Sequence, residues 1–167
     1  MAEEICQKLA ENTNIEFKVN MAVGCLDDAS KIETEKMFNR LKKTLGSKFD
    51  GKINVEFEDM NQFYYDIDIF ILTSNYNTES FGRTLVEAMS RKTVVLTTNA
   101  GGSVEVVGKK DNVCESSDDF IKRIQYFYNN IVFFETEKEN NLLRVKEKYS
   151  QKNNVDKHVD LYTSILE

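Results

Sequence analysis

The sequence predicts an α/β fold in which a parallel sheet carries helices on both faces. Short runs of β-branched and aliphatic residues, such as 67–72 and 93–98, alternate with stretches of helical period, the order that produces crossover-connected parallel strands. The first run is nearly all apolar and the second is mostly β-branched, and neither alternates, as in strands covered on both sides. From Asp118 onward the pattern is helical, so the chain is expected to end in helices.

The first helix is expected over residues 2–11, carrying Ile5 and Leu9. Ile15, Phe17, Val19, Met21 and Val23 then alternate as a strand ending at Gly24. Ser30 precedes a second helix whose apolar face is Ile32, Met37, Leu41 and Leu45, stopped by Gly46. Residues 53–57 alternate as a second strand, 60–65 read as a short helix, and 67–72 as a buried central strand. A polar loop over 73–80, a helix over 82–91 and a buried strand over 93–98 follow. Gly101-Gly102 marks a turn into 103–107, and 112–114 suits a short edge strand. Helices are then expected over 118–134 and 136–149, before an amphipathic end carrying Val155, Val159, Tyr162 and Ile165.

A chain of 167 residues suits one domain, 1–167, able to bury about 70% of its extended surface without disulfides or metal. With 41% hydrophobic and 30% charged residues it is not a disordered chain. Its 22 Lys and Arg against 28 Asp and Glu give −6, which argues against a nucleic-acid partner bound across a broad basic face. The acidic start lacks a signal-peptide core, and no apolar run approaches the ~18 residues of a membrane span. The expected location is the cytoplasm, with attachment to the inner membrane face kept open for a full-length enzyme. Cys6, Cys25 and Cys114 are odd in number and widely spaced, suggesting buried apolar residues rather than disulfides or zinc.

Parallel sheets bind ligands beyond the carboxyl ends of their strands, which directs attention to the loops after Val23, Leu72 and Thr98. The second of these reads Asn75-Tyr-Asn-Thr-Glu79-Ser-Phe81-Gly82-Arg83-Thr84-Leu-Val-Glu87-Ala-Met89. Glu79 sits in the loop and Glu87 on the following helix, so both can face one pocket. Free N–H groups at Gly82 to Thr84 suit a phosphate, and Gly82 allows close approach to the backbone. The carboxylates would repel that phosphate and are better suited to accepting hydrogen bonds from hydroxyls on either side of it. Hydroxyls, phosphate, then hydroxyls describe a sugar nucleotide.

The segment E-S-F-G-R-T-L-V-E-A-M, followed by V-V-L-T-T-N-A-G-G-S-V-E-V-V, resembles glycosyltransferase family 4. That resemblance implies the Rossmann-like, donor-binding half of a two-domain GT-B enzyme that retains anomeric configuration and needs no metal or other cofactor. It implies Glu79 on hydroxyls of the transferred sugar, Glu87 on the ribose, and the Phe81 and Gly82 backbone on sugar and diphosphate. Arg83, Thr84, Gly101 and Gly102 join these as expected substrate-binding positions, with Gly101-Gly102 and Glu105 matching a G-G-x-x-E turn that shapes the pocket wall. The implied partners are a nucleotide-sugar donor and an N-terminal acceptor domain outside this chain.

Two departures from the family pattern stand out. Lys92 and Val94 replace a usual Gly and Pro, so that turn is expected to rearrange slightly. The Arg and Lys that grip the diphosphate in the family, and the strand carrying them, have no match here; since that strand lies between those ending at Val23 and Leu72, the sheet's centre is expected to be exposed or rearranged. The chain is accordingly expected to be an inactive fragment prone to self-association. An Arg83–Glu87 surface pair is the alternative for Glu87, and Arg83 itself suits a solvated helix position better than a phosphate ligand. Asp66-Ile67-Asp68 resembles a metal motif but precedes a strand at the wrong end, and His158 reads as a surface histidine. Phe127, Tyr128, Phe133 and Phe134 are expected to pack a helix onto the sheet. A non-catalytic module binding a nucleotide sugar or a protein is the competing reading of the whole chain.

Overall fold

The computed structural model describes residues 1–12, 14–75 and 78–166, so Tyr76 and Asn77 of the expected polar loop lie outside the described residues. The expected alternation of strands and helices is present. α1 (Ala2–Glu11) leads into β1 (Val19–Val23), then α2 (Asp28–Leu45), β2 (Phe49–Ile53), α3 (Phe57–Tyr65) and β3 (Ile69–Leu72). α4 (Arg83–Met89), β4 (Val94–Thr98), α5 (Ser103–Val107) and β5 (Val113–Cys114) follow. α6 (Ser117–Asn129), α7 (Ile131–Arg144) and α8 (Gln151–Leu166) end the chain, with a π-turn over Val145–Tyr149 between the last two.

All pairings are parallel, but among the described residues the strands form two sheets, β1-β2 and β3-β4-β5. The alternation along β3 and β4 places helices on both faces of the larger sheet. Ile69, Ile71, Val94 and Leu96 pack against Ile5 and Leu9 of α1, Phe120, Ile124 and Phe127 of α6 and Phe134 of α7. Phe70, Leu72 and Val95 face the other way, against Tyr64 of α3, Leu85, Ala88 and Met89 of α4 and Val106 of α5. The smaller sheet packs its Phe49 against Cys6 of α1 and Leu41 and Leu45 of α2, with Met21 and Phe38 partly covered. Between β1 and β3 the ladder is interrupted by a groove of about 960 Å³ that consecutive residues of both strands line, among them Val19, Met21, Ile69 and Ile71. Because consecutive residues of a strand point to opposite faces, the edges of both strands border this groove, and helical residues such as Leu9, Met37, Phe63 and Phe127 line the rest of it.

Several local expectations are corrected. β1 starts at Val19, leaving Ile15 and Phe17 outside the ladder although Ile15 is buried. β2 lies at Phe49–Ile53 rather than 53–57, because register against Val19–Val23 stops at Asn54, whose φ of 51° turns the chain while its N–H still bonds the Val23 carbonyl at 2.9 Å. Phe57 instead opens α3 and is exposed. Asp27, not Ser30, caps α2; Ser30 completes a reciprocal capping box. Ile32 is exposed, and Thr34 takes its expected place beside Leu41 and Leu45. β3 is a half-buried edge of its sheet, and β4 is the buried centre. The break between the late helices falls at Asn130, whose φ of −133° and ψ of 70° leave the helical region. Of the late aromatic cluster, Phe127 and Phe134 are buried, their ring centroids 5.8 Å apart, while Tyr128 and Phe133 stay exposed.

Cys6 and Cys114 are buried, and burial pushes both thiols up to about 11; Cys25 is only half-buried. No helix among the described residues is long and apolar enough to cross a membrane.

Candidate functional site

The loops after β3 and β4 are bound to each other before either meets a ligand. The Thr98 hydroxyl donates to the Ser74 carbonyl at 2.6 Å, and the Gly102 N–H donates to the Glu79 carbonyl at 3.3 Å. The two glycines are required by this approach. A Cβ on Gly101, whose φ is +49°, would stand 1.9 Å from the Glu79 carbonyl oxygen, and one on Gly102 would stand 2.4 Å from that of Ser80. Ser103 ties the same corner by donating to the Ala100 carbonyl at 2.6 Å. Gly101 and Gly102 thus set the position of the Glu79 backbone, a structural task in addition to any contact with ligand.

The Glu79 side chain is held as tightly as its backbone. Oε1 accepts from the Gly82 N–H at 2.8 Å, and Oε2 accepts from the Ser74 hydroxyl at 3.4 Å. This corrects the expectation that the amides from Gly82 to Thr84 are free: the first is taken by a carboxylate only three residues back, which caps α4 as an anion would. Gly82 has φ +84°, a backbone state that glycine adopts without strain and that turns the chain into α4. The amides of Arg83 and Thr84 remain in the first turn, where a helix supplies no internal acceptor. Phe81 is exposed, its ring edge-on to Tyr149 with centroids 5.6 Å apart, so it offers backbone rather than side chain to the site.

Glu87 projects from α4, which cannot rotate because Leu85, Ala88 and Met89 are fully buried. Its two oxygens have different partners. Oε2 accepts from the Tyr64 hydroxyl at 3.0 Å, and Oε1 faces Arg83 Nε at 3.4 Å. The expected alternative, an i,i+4 pair with Arg83, is therefore formed; the Arg83 side chain is 83% exposed, so this contact is weak and easily given up. Sequence reasoning missed Tyr64 and Ser74. Tyr64 had a signal: a tyrosine buried among apolar residues must find a partner for its hydroxyl.

The remaining candidates fall away from these loops. Asp66 accepts from Gln62 Nε2 at 2.7 Å at the end of α3, and the Asp68 carbonyl accepts from the Val94 N–H at 3.1 Å at the start of β4. Among the described residues no group of three or more His, Cys, Asp or Glu is placed to hold a metal ion. His158 is exposed on α8. The loop after Val23 is tied to the end of β2, with the Cys25 N–H donating to Asn54 Oδ1 at 2.6 Å. The backbone at Lys92 has φ 60°, the left-handed state that favours glycine, with a lysine in it.

A family model described as glycosyl transferases group 1 matches residues 4–154. The chain belongs to that family. A curated relative, the GDP-Man:Man(3)GlcNAc(2)-PP-Dol alpha-1,2-mannosyltransferase of Xenopus laevis, is 28% identical over 98 residues, which are 59% of this chain and 20% of the relative. Among solved structures, Anabaena HepE in complex with UDP and glucose aligns at a TM-score of 0.77 and 19% identity, covering 96% of this chain and 44% of that one. A glycosyltransferase from Rickettsia africae aligns at 0.72 and 22% over 98% and 44%, and a sucrose-phosphate synthase from Thermosynechococcus elongatus at 0.75 and 18% over 98% and 42%. This group 1 glycosyltransferase chain therefore has the fold of one half of a GT-B enzyme and spans less than half the length of each of these proteins.

Proposed function

We propose that this chain is the donor-binding half of a retaining, metal-independent glycosyltransferase of family 4 type, which takes a nucleoside diphosphate sugar and passes the sugar to a glycan, lipid or small-molecule acceptor. The observation that carries the reading is the pair of carboxylates on one helix entry, Glu79 at the Gly82 amide and Glu87 a turn further on, each with partners that fix its direction. In this reading Glu79 accepts from hydroxyls of the transferred sugar and Glu87 from the ribose, while the Gly82 to Thr84 backbone meets the diphosphate. A phosphate oxygen reaches the Gly82 amide only by displacing Glu79 Oε1, and the released carboxylate is then available to the sugar. The bond from the sugar to the diphosphate breaks, the acceptor oxygen bonds to the same carbon on the same face, and its proton passes to the departing diphosphate. The residues here contribute positioning and charge stabilisation rather than a dedicated base. HepE was crystallised with UDP and UDP-glucose, and the Xenopus relative uses GDP-mannose, which supports a nucleotide-sugar donor.

An acceptor-binding half must complete such an enzyme. By itself the chain exposes Val155, Val159, Tyr162 and Ile165 on α8, a surface that favours self-association, and it is expected to transfer no sugar. Calorimetric titration with UDP-glucose, GDP-mannose and the free diphosphates tests the site. Glu79→Ala and Glu87→Ala are each expected to weaken nucleotide-sugar binding by roughly 1 to 3 kcal/mol. Glu87→Gln should weaken free diphosphate, and Glu79→Gln only the sugar-bearing ligand; unchanged affinity in both alanine variants would sink the assignment.

A further inference from the structure

Tyr64 is a residue whose burial is explained only in part by packing. It is 2% exposed near the end of α3, with its ring edge-on to Phe70 at 5.6 Å between centroids and to Phe63 at 5.9 Å. Its own carbonyl accepts from the Thr93 hydroxyl at 3.0 Å, and the Thr93 carbonyl in turn accepts from Asn141 Nδ2 at 3.0 Å, so the end of α3 is tied to the residue before β4 and through it to α7. A phenylalanine would satisfy all of these contacts. The hydroxyl does one thing more, donating to Glu87 Oε2 at 3.0 Å. Burial, followed by this bond to a carboxylate, raises the phenol well above its ordinary acidity range.

We propose that Tyr64 is a positioning residue, whose hydroxyl holds the inner oxygen of Glu87 so that the outer oxygen is presented to the ribose of the donor nucleotide. The inference rests on the reading of Glu87 given above and adds what aims it. α4 is locked by Leu85, Ala88 and Met89, so the freedom left to Glu87 is that of its own side-chain rotamers. Arg83 cannot restrict them, being itself largely in solvent. Tyr64, immobile and on the core side, can. A carboxylate has about four lone-pair sites, so one hydroxyl donor on Oε2 leaves room there for a second, and Oε1 carries only the exposed Arg83 contact at 3.4 Å, which a vicinal diol can replace. Pre-aimed, the group loses less rotamer freedom on binding.

The test is a double-mutant cycle on the whole chain, titrating UDP and GDP into wild type, Y64F, E87Q and the double variant by amide NMR, with a melting curve for each. Y64F is expected to weaken nucleotide binding roughly tenfold while still melting cooperatively. The double variant should bind no more weakly than E87Q alone, because Tyr64 acts through Glu87. A purely structural hydroxyl would instead give losses that multiply in the double variant, and that result overturns the proposal. So does wild-type affinity in Y64F when E87Q is impaired, or a Y64F chain that no longer folds. If E87Q binds both nucleotides as wild type does, or wild type binds neither, the assignment of Glu87 itself fails and Tyr64 has nothing to position.

Discussion

The two sheets of this chain are covered to different degrees. In β3-β4-β5, Val94, Val95, Leu96 and Thr97 are fully buried and helices close both faces. In β1-β2 every residue of β1 is only half-buried, and α2 supplies only Thr34, Leu41 and Leu45 to the buried interior from its 18 residues. The candidate site stands on the first of these. Carboxylates that must hold a direction gain most from a rigid base; β3 is half-buried, but the loop that follows it is tied through Thr98 and Gly102 to the end of β4, whose four consecutive residues Val94 to Thr97 are buried. The smaller sheet is attached through shared contacts of α1 and Phe17 and leaves one edge of β1 on the groove.

The largest expected effect tests that contrast directly. Leu96→Ala empties a fully buried position beneath the site and should lower stability by about 3 to 5 kcal/mol in denaturant unfolding, whereas Met21→Ala on half-exposed β1 should cost about 1 kcal/mol. Equal losses would mean that the two sheets share one evenly packed core. Next come the glycines. Gly101→Ala drives a methyl group into the Glu79 carbonyl at a positive φ and should cost about 1 to 3 kcal/mol along with nucleotide affinity, while Gly24→Ala, with open space around it, should leave both nearly unchanged. Lys92→Gly is smaller and opposite in sign. It relieves a left-handed lysine at the price of an exposed pair with Glu139, and should raise stability by about 0.5 to 1 kcal/mol in thermal melts.

The smallest effect concerns acid. Arg40 donates two hydrogen bonds to Glu3 and holds its carboxyl below the usual range; Ser30 does the same for Asp27, as Ser116 does for Asp119. Each carboxyl is therefore more acidic folded than unfolded. Their contribution is complete above the ordinary carboxylate range near pH 4 and is lost as pH falls through the lowered values. Melting temperature should be flat from pH 5 to 7 and fall below 4. Because Glu3 and Asp27 serve the α1–α2 side and Asp119 completes the capping box of α6 with Ser116, amide exchange at pH 3 should report earlier opening in α2 than in β4.

Much of the fold was legible because it is written in local periodicity. The run at 93–98 matches β4 closely, and α1 matches residue for residue. β2 was not legible: Phe49-Asp-Gly-Lys-Ile has neither an apolar run nor clean alternation, and it is a strand because β1 offers it a partner in register. The site divides in the same way. Glu79, Gly82, Glu87 and the Gly101-Gly102 pair stand out as residue types in a spacing, and the group 1 family match covers all of them. The Glu79 carboxylate on the Gly82 amide and the Tyr64 hydroxyl on Glu87 do not.

By itself, then, the sequence determined the order of strands and helices, the acidic character and the motif, since each depends on residues close together in the chain. Only the tertiary structure decided which strand is central, where the sheet divides and how each carboxylate is aimed. Those outcomes depend on contacts between distant segments, Tyr64 with Glu87 and Gly101 with Glu79 among them, which no local pattern encodes.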